Sequence, residues 1–165
     1  MQAIMLISQM NRIEKDADIM LDNALYLDRK LNEIPGIHPC KLVAGDNRSA
    51  YHMYPFRFVS KEFDNVSREK FMKALRAEGV PCSPGYGKQN YDGLIDEAFN
   101  SRGYKRLFSK ERLDKWREEN QLPGNDKLAG EAVLFYQSML LGTRSDMDDI
   151  VNAVAKVYEN RKSLL

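Results

Sequence analysis

The chain has 165 residues, with 25 basic and 24 acidic side chains and a net charge of +1, so charge gives no reason to expect nucleic acid or an anionic membrane as a partner. Apolar residues make up 43% and charged residues 30%, values of a globular protein able to bury a core, and a single domain over 1–165 is expected. No apolar run reaches the ~20 residues of a membrane helix. The apolar start over 3–7 has no basic residue before it, as a secretory signal would, so the expected location is cytoplasmic. Cys40 and Cys82 each follow a proline and belong to no C-x-x-C pair. Neither a disulfide framework nor a metal site is expected, since a metal site would have to gather His38 and His52 with both thiols.

In chain order, the first predicted element is a long helix over 1–34. Leu6, Met10, Ile13, Ala17, Met20, Ala24, Leu27 and Leu31 are spaced alternately four and three apart, a continuous apolar seam on one helix face, and Pro35-Gly36 ends it. At 1.5 Å per residue the rod is roughly 45 Å long. It is expected to project beyond its own core or to pack on something else. A coiled-coil seam is the other reading, and the breadth added by Ile7, Leu21 and Leu25 favours intramolecular packing. Residues 51–59 (YHMYPFRFV) predict a strand, placed at an edge or broken by a bulge because Pro55 has no N–H for a ladder. Ser67 predicts the cap of a helix that Val66 and Phe71 staple and Gly79 stops.

From 84 to 125 the pattern weakens into an irregular, partly helical excursion. Gly85, Gly87, Gly93 and Gly103 alternate with aromatics, as in a binding loop or lid, and Ser109 caps a short helix to Glu119. A short helix over 126–132, a buried strand over 133–141 and a final helix from Ser145, with Asp148 completing a capping box, close the chain. The expected fold class is α+β: a small, mainly antiparallel sheet covered by helices, with long N-terminal and C-terminal helices.

Several segments carry a resemblance. Met1-Gln2-Ala3 with Gln9-Met10 and Arg12, Asn23-Ala24 to Leu31 with Ile34-Pro35-Gly36-Ile37, Tyr51-His52-Met53-Tyr54 with Arg57, Ala74-Leu75 with Glu78-Gly79-Val80-Pro81, and Leu140-Leu141-Gly142 with Asp146-Met147 and 153–157 follow one another in order. In this order they resemble the C-terminal small domain of the DegT/DnrJ/StrS aminotransferases, a branch of the fold-type-I pyridoxal-phosphate enzymes. The form of 135–142 leans toward the aminocyclitol members. The resemblance implies a homodimeric parent enzyme that moves an amino group, from a donor such as glutamine or glutamate, to a keto-sugar or keto-cyclitol. It also implies that the lysine forming a Schiff base with pyridoxal phosphate, and the phosphate cradle, belong to a part of the enzyme this chain does not match. Lys61 does not fit the family's lysine motif. No catalytic or cofactor-binding residue is therefore expected here, and no cofactor is expected to bind the chain alone.

The same resemblance implies substrate contacts for His52 and Tyr54, two apart on a strand and so on one face, for Arg57, and for Ser83 and Tyr86 in the loop after Pro81. The competing reading makes His52 and Tyr54 core residues, Arg57 an ion-pair partner, and Ser83 and Tyr86 ordinary loop residues. The basic stretch from Arg102 to Arg117 reads as a solvated helix face rather than a nucleic-acid site. A free-standing module that self-associates through the N-terminal helix is the alternative function.

Overall fold

The computed structural model describes residues 2–46, 49–91 and 93–165; Met1, which begins the first motif above, lies outside them. The chain divides into two compact units, one made of the residues up to Pro84 together with Glu131–Leu165, the other of Gly85–Gly130.

The first unit is an α+β layer, as the sequence predicts. Helix α1 (Gln2–Leu31) leads into a three-stranded antiparallel sheet of order β1-β2-β3, with β1 at Ile37–Pro39, β2 at Met53–Phe58 and β3 at Ala132–Tyr136. Helices α2 (Arg68–Ala77) and α7 (Arg144–Glu159) complete it. Along β2 the side chains alternate, with Tyr54, Phe56 and Phe58 fully buried. Their rings join Phe63, Phe71 and Phe135 in one aromatic core, with Phe58 and Phe71 stacked at 4.4 Å and Phe56 and Phe135 at 5.0 Å.

Only the C-terminal half of the seam reaches this core. Ala24, Leu27 and Leu31 are fully buried, whereas Ile4, Leu6, Ile7, Met10 and Ile13 are 58–70% exposed. The first four turns of α1 thus project from the unit, as the length of the rod suggests.

Three local expectations are corrected. Pro55 sits in the central strand without a bulge, opposite Leu134. It is tolerated because its backbone faces β1 just where β1 ends. Its carbonyl accepts from Cys40 N–H at 3.3 Å, while Leu134 turns its own N–H and C=O away from Pro55 to bond Ser83. The strand read over 133–141 stops at Tyr136, and 137–141 forms a 3-10 turn. There the carbonyls of Leu140 and Gly142 accept from the Asn23 side-chain amide, both at 2.9 Å, instead of continuing a ladder. The last helix is capped by Thr143 rather than Ser145. The Thr143 hydroxyl accepts from Asp146 N–H and the Asp146 carboxylate accepts from Thr143 N–H at 2.6 Å. Both Thr143/Asp146 and Ser145/Asp148 have the required spacing, but the Asp148 carboxylate is occupied by the hydroxyl of Tyr26 on α1.

The second unit holds four short helices, α3 (Gly93–Asn100), α4 (Arg102–Leu107), α5 (Lys110–Glu119) and α6 (Pro123–Glu131, whose last residue belongs to the first unit). Ser101 and Ser109 cap α4 and α5 through their hydroxyls, the second as the sequence predicts. No described side chain of these helices is fully buried.

Candidate functional site

The entry of the chain into β2 is the place where backbone strain and titratable groups coincide. Tyr51 is buried, yet its backbone is left-handed, with φ +42°, a conformation costly for a bulky side chain. The Ser49 hydroxyl accepts its N–H at 3.2 Å. This turn throws the next residue, His52, out to the surface before the strand begins at Met53. The strand geometry then drives Tyr54 inward. His52 and Tyr54 therefore do not share a face: the first is exposed and the second is 1% exposed. The two-residue rule fails because His52 precedes the regular strand.

The Tyr54 hydroxyl is already used. It donates to Asp28 Oδ1 of α1 at 2.7 Å. Burial first, then the Asp28 charge, pushes the Tyr54 pKa well above that of an ordinary phenol. Tyr51 is raised by the same two causes, and the Cys40 thiol, although the residue is exposed, is raised by partial desolvation and Asp28 against an opposing effect of Arg57. Asp28 is itself raised by burial, with the Tyr54 hydrogen bond and Arg29 pulling it down. Asp28 also lines a cavity of about 220 Å³ with Arg29, Asn32, Pro39 and Lys41. The cluster holds its phenols and thiol protonated, so it supplies hydrogen bonds and shape rather than a nucleophile.

A pH prediction follows with a definite sign. In the folded chain Asp28 keeps its proton to higher pH than in the unfolded chain, so the folded state binds more protons as pH rises from about 3.8, and this group's contribution to stability falls through that window. Asp28→Asn keeps an acceptor for Tyr54 and removes the charge. The melting temperature of the variant relative to the parent is expected to increase from pH 3 to pH 7. A difference that shrinks over that range in a thermal-melt series contradicts this account.

The other expected contact residues are dispersed. Arg57 points to the opposite face from Tyr54, and its Nε and Nη2 donate to Glu131 Oε2 at 2.8 and 2.7 Å. Ser83 is not at a loop tip. It pairs with Leu134 through two backbone hydrogen bonds of 3.0 and 2.9 Å, adding a bridge to the outer edge of β3. Tyr86 is 67% exposed and belongs to the second unit. Asp28 and Tyr51 were not marked by the sequence. The available signal was a lone carboxylate beside the buried Leu27, on the edge of the apolar seam.

Asn23, 4% exposed, explains two of the sequence motifs together. Its amide hydrogens go to Leu140 and Gly142, so the Asn23-Ala24 and Leu140-Leu141-Gly142 segments are two halves of one contact between α1 and the turn before α7.

Against known proteins, the DegT/DnrJ/EryC1/StrS aminotransferase family matches residues 1–133. The L-glutamine:2-deoxy-scyllo-inosose aminotransferase of Streptomyces kanamyceticus is 30% identical over 164 residues, covering 99% of this chain and 38% of that protein. A putative L-glutamine:3-amino-2,3-dideoxy-scyllo-inosose aminotransferase of Streptoalloteichus tenebrarius is 29% identical over 172 residues, covering 99% of this chain and 40% of its own length. Among solved structures, 3-amino-5-hydroxybenzoic acid synthase superposes with a TM-score of 0.69 at 17% identity over 92% of this chain and 36% of that one. The sugar aminotransferase CalS13 of Micromonospora echinospora gives 0.65 at 20% identity, over 91% and 33%. The chain thus spans about two fifths of the relatives it matches, and the structures share its fold.

Proposed function

The chain belongs to the DegT/DnrJ/EryC1/StrS aminotransferase family, and from that premise we propose that it is the small domain of a pyridoxal-phosphate enzyme that aminates a keto-cyclitol or keto-sugar. The observation that carries this reading is the match itself: it uses 99% of this chain but only 38% of a 2-deoxy-scyllo-inosose aminotransferase. L-Glutamine, named as donor in that relative, is the proposed donor, and a homodimer is the proposed state of the whole enzyme.

The described residues do not fit the covalent anchor of the cofactor. No described lysine is buried, Lys61 is exposed on a 3-10 turn, and Lys156, which lines a cleft between α7 and the turn over 78–80 after α2, is bound to Glu78 at 2.7 Å. An imine-forming lysine needs a desolvated setting, which none of these has. In this reading the chain covers and shapes the site instead. The strained Tyr51 presents His52 as a hydrogen-bonding group for a polyol, while Tyr54 and Asp28 fix the ground beneath it. Arg57, Ser83 and Tyr86 are proposed as further substrate neighbours, the first two held in place by Glu131 and Leu134.

Two measurements test this. Mixed with pyridoxal phosphate, the purified chain is expected to stay without a long-wavelength imine band; such a band, abolished by substitution of one lysine, refutes the proposed division of labour. In a chimera in which this chain replaces the matched segment of the Streptomyces kanamyceticus enzyme, His52→Ala is expected to leave folding largely intact. It should lower kcat/KM for amination of 2-deoxy-scyllo-inosose roughly three- to tenfold, the worth of one neutral hydrogen bond. Unchanged kinetics with a lowered melting temperature would assign His52 to the framework.

A further inference from the structure

The second unit contains a cleft of about 510 Å³, within the range of small-molecule sites. Its apolar wall is made by Phe99, Phe108 and Leu113. The rings are under-packed. Phe99 meets Trp116 edge-on at 5.1 Å and Tyr104 at 5.8 Å, Tyr104 meets Phe108 at 5.7 Å, and Phe108 remains 45% exposed. Since these helices bury no described side chain completely, ring surface is available for a ligand to cover.

The charged groups on the rim set the sign. Arg117 is paired with Asp96, which leaves Lys105 and Lys110 against Asp114 among the lining residues. Neither lysine makes an ion pair among the described residues, although Lys110 has Glu111 as its chain neighbour. In the wider basic stretch the charges of Arg112, Lys115 and Arg117 are offset, the first two by Glu119 at 3.2 and 3.3 Å and the third by Asp96. An extended polyanion therefore has little to grip, while a compact anion with an apolar ring finds both complements in one place.

We propose that the cleft between Phe99, Lys105, Phe108 and Lys110 binds a small planar aromatic monocarboxylate, its ring against the two phenylalanines and its carboxylate between the two lysines. Asp114 limits the acceptable charge to a single negative one. The site lies within Gly85–Gly130, and its occupation requires no amino transfer, so the proposal stands or falls separately from the family function.

The experiment is calorimetric and NMR titration of the purified chain with 2-naphthoate, with neutral 2-naphthalenemethanol and inorganic phosphate as comparisons. Saturable one-to-one binding of the naphthoate is expected, with weaker binding of the alcohol and no competition from phosphate. Lys105→Gln and Lys110→Gln should each weaken the naphthoate roughly twofold to fivefold, as exposed charge contacts do, with an unchanged circular dichroism spectrum. Absence of saturable binding at millimolar concentration overturns the proposal. So does an affinity the double variant retains, or phosphate or an oligonucleotide binding as well as the naphthoate.

Discussion

Replacing Asn23 by leucine, of similar volume, is expected to destabilise the chain by about 2–4 kcal/mol, the cost of leaving two largely buried carbonyls without a donor. Its amide links α1 to the carbonyls of Leu140 and Gly142, across 117 and 119 residues of sequence, and Leu140 itself is fully buried. Water does not replace the lost donor at Leu140. In thermal unfolding this amounts to a fall of roughly 10 °C for a domain of this size. Asn23→Asp should be no better, because a carboxylate offers no hydrogen to either carbonyl. Asp22→Ala, next along the helix, serves as the control: its exposed partner is Arg144, and an exposed ion pair is worth about 1 kcal/mol or less. Equal losses in Asn23→Leu and Asp22→Ala would show that the amide bridge does not hold the turn.

The second large effect concerns the projecting turns of α1. Leu6, Met10 and Ile13 are 58%, 67% and 59% exposed and continue the seam that Ala24, Leu27 and Leu31 bury. A contiguous apolar face of this kind drives association, and the purified chain is expected to sediment as a concentration-dependent oligomer. If each of the three side chains covers half of its surface on association, the loss on polar substitution is about 1 kcal/mol apiece. A triple change to glutamine then weakens association by roughly two orders of magnitude and gives a monomer. A parent chain that already sediments as a monomer at high concentration excludes association through this face.

Much of the framework was legible in the sequence because it rests on periodicities. The helix of α1, the strand within 51–59 and the Ser67 cap each follow from local sequence alone, and the structure has them all. Where two local readings were equally good, distant contacts decided. Thr143 and Ser145 both have the spacing of a capping box, and Thr143 makes it while Asp148 is taken by Tyr26. Pro55 looked like an edge residue because the sequence could not show that β1 stops after Pro39. The site was less legible than the framework. The expectation that His52 and Tyr54 lie on one face assumed regular strand at His52, and the left-handed Tyr51 is not an asparagine or glycine that would have signalled a turn. Asp28 was faint for a related reason: its partner is 26 residues away, and its local sign is no more than a place beside Leu27 on the edge of the apolar seam.

The bridge between Ser83 and Leu134 has a consequence for how the chain assembles. β2 and β3 are neighbours in the sheet, yet 73 residues (59 through 131) lie between Phe58 and Ala132. Pairing them closes a large ring of chain, so β3 is expected to add late, onto a nucleus already formed by β2 and α2. Because the two hydrogen bonds of the bridge hold the ends of Gly85–Gly130 side by side, that stretch can be exchanged for a turn of about four residues without moving either end. The shorter ring lowers the entropic cost of closure by about 0.8 kcal/mol and speeds the arrival of β3. Length can drift here at little cost to the sheet, which makes the span between Pro84 and Glu131 the permissive joint of the fold.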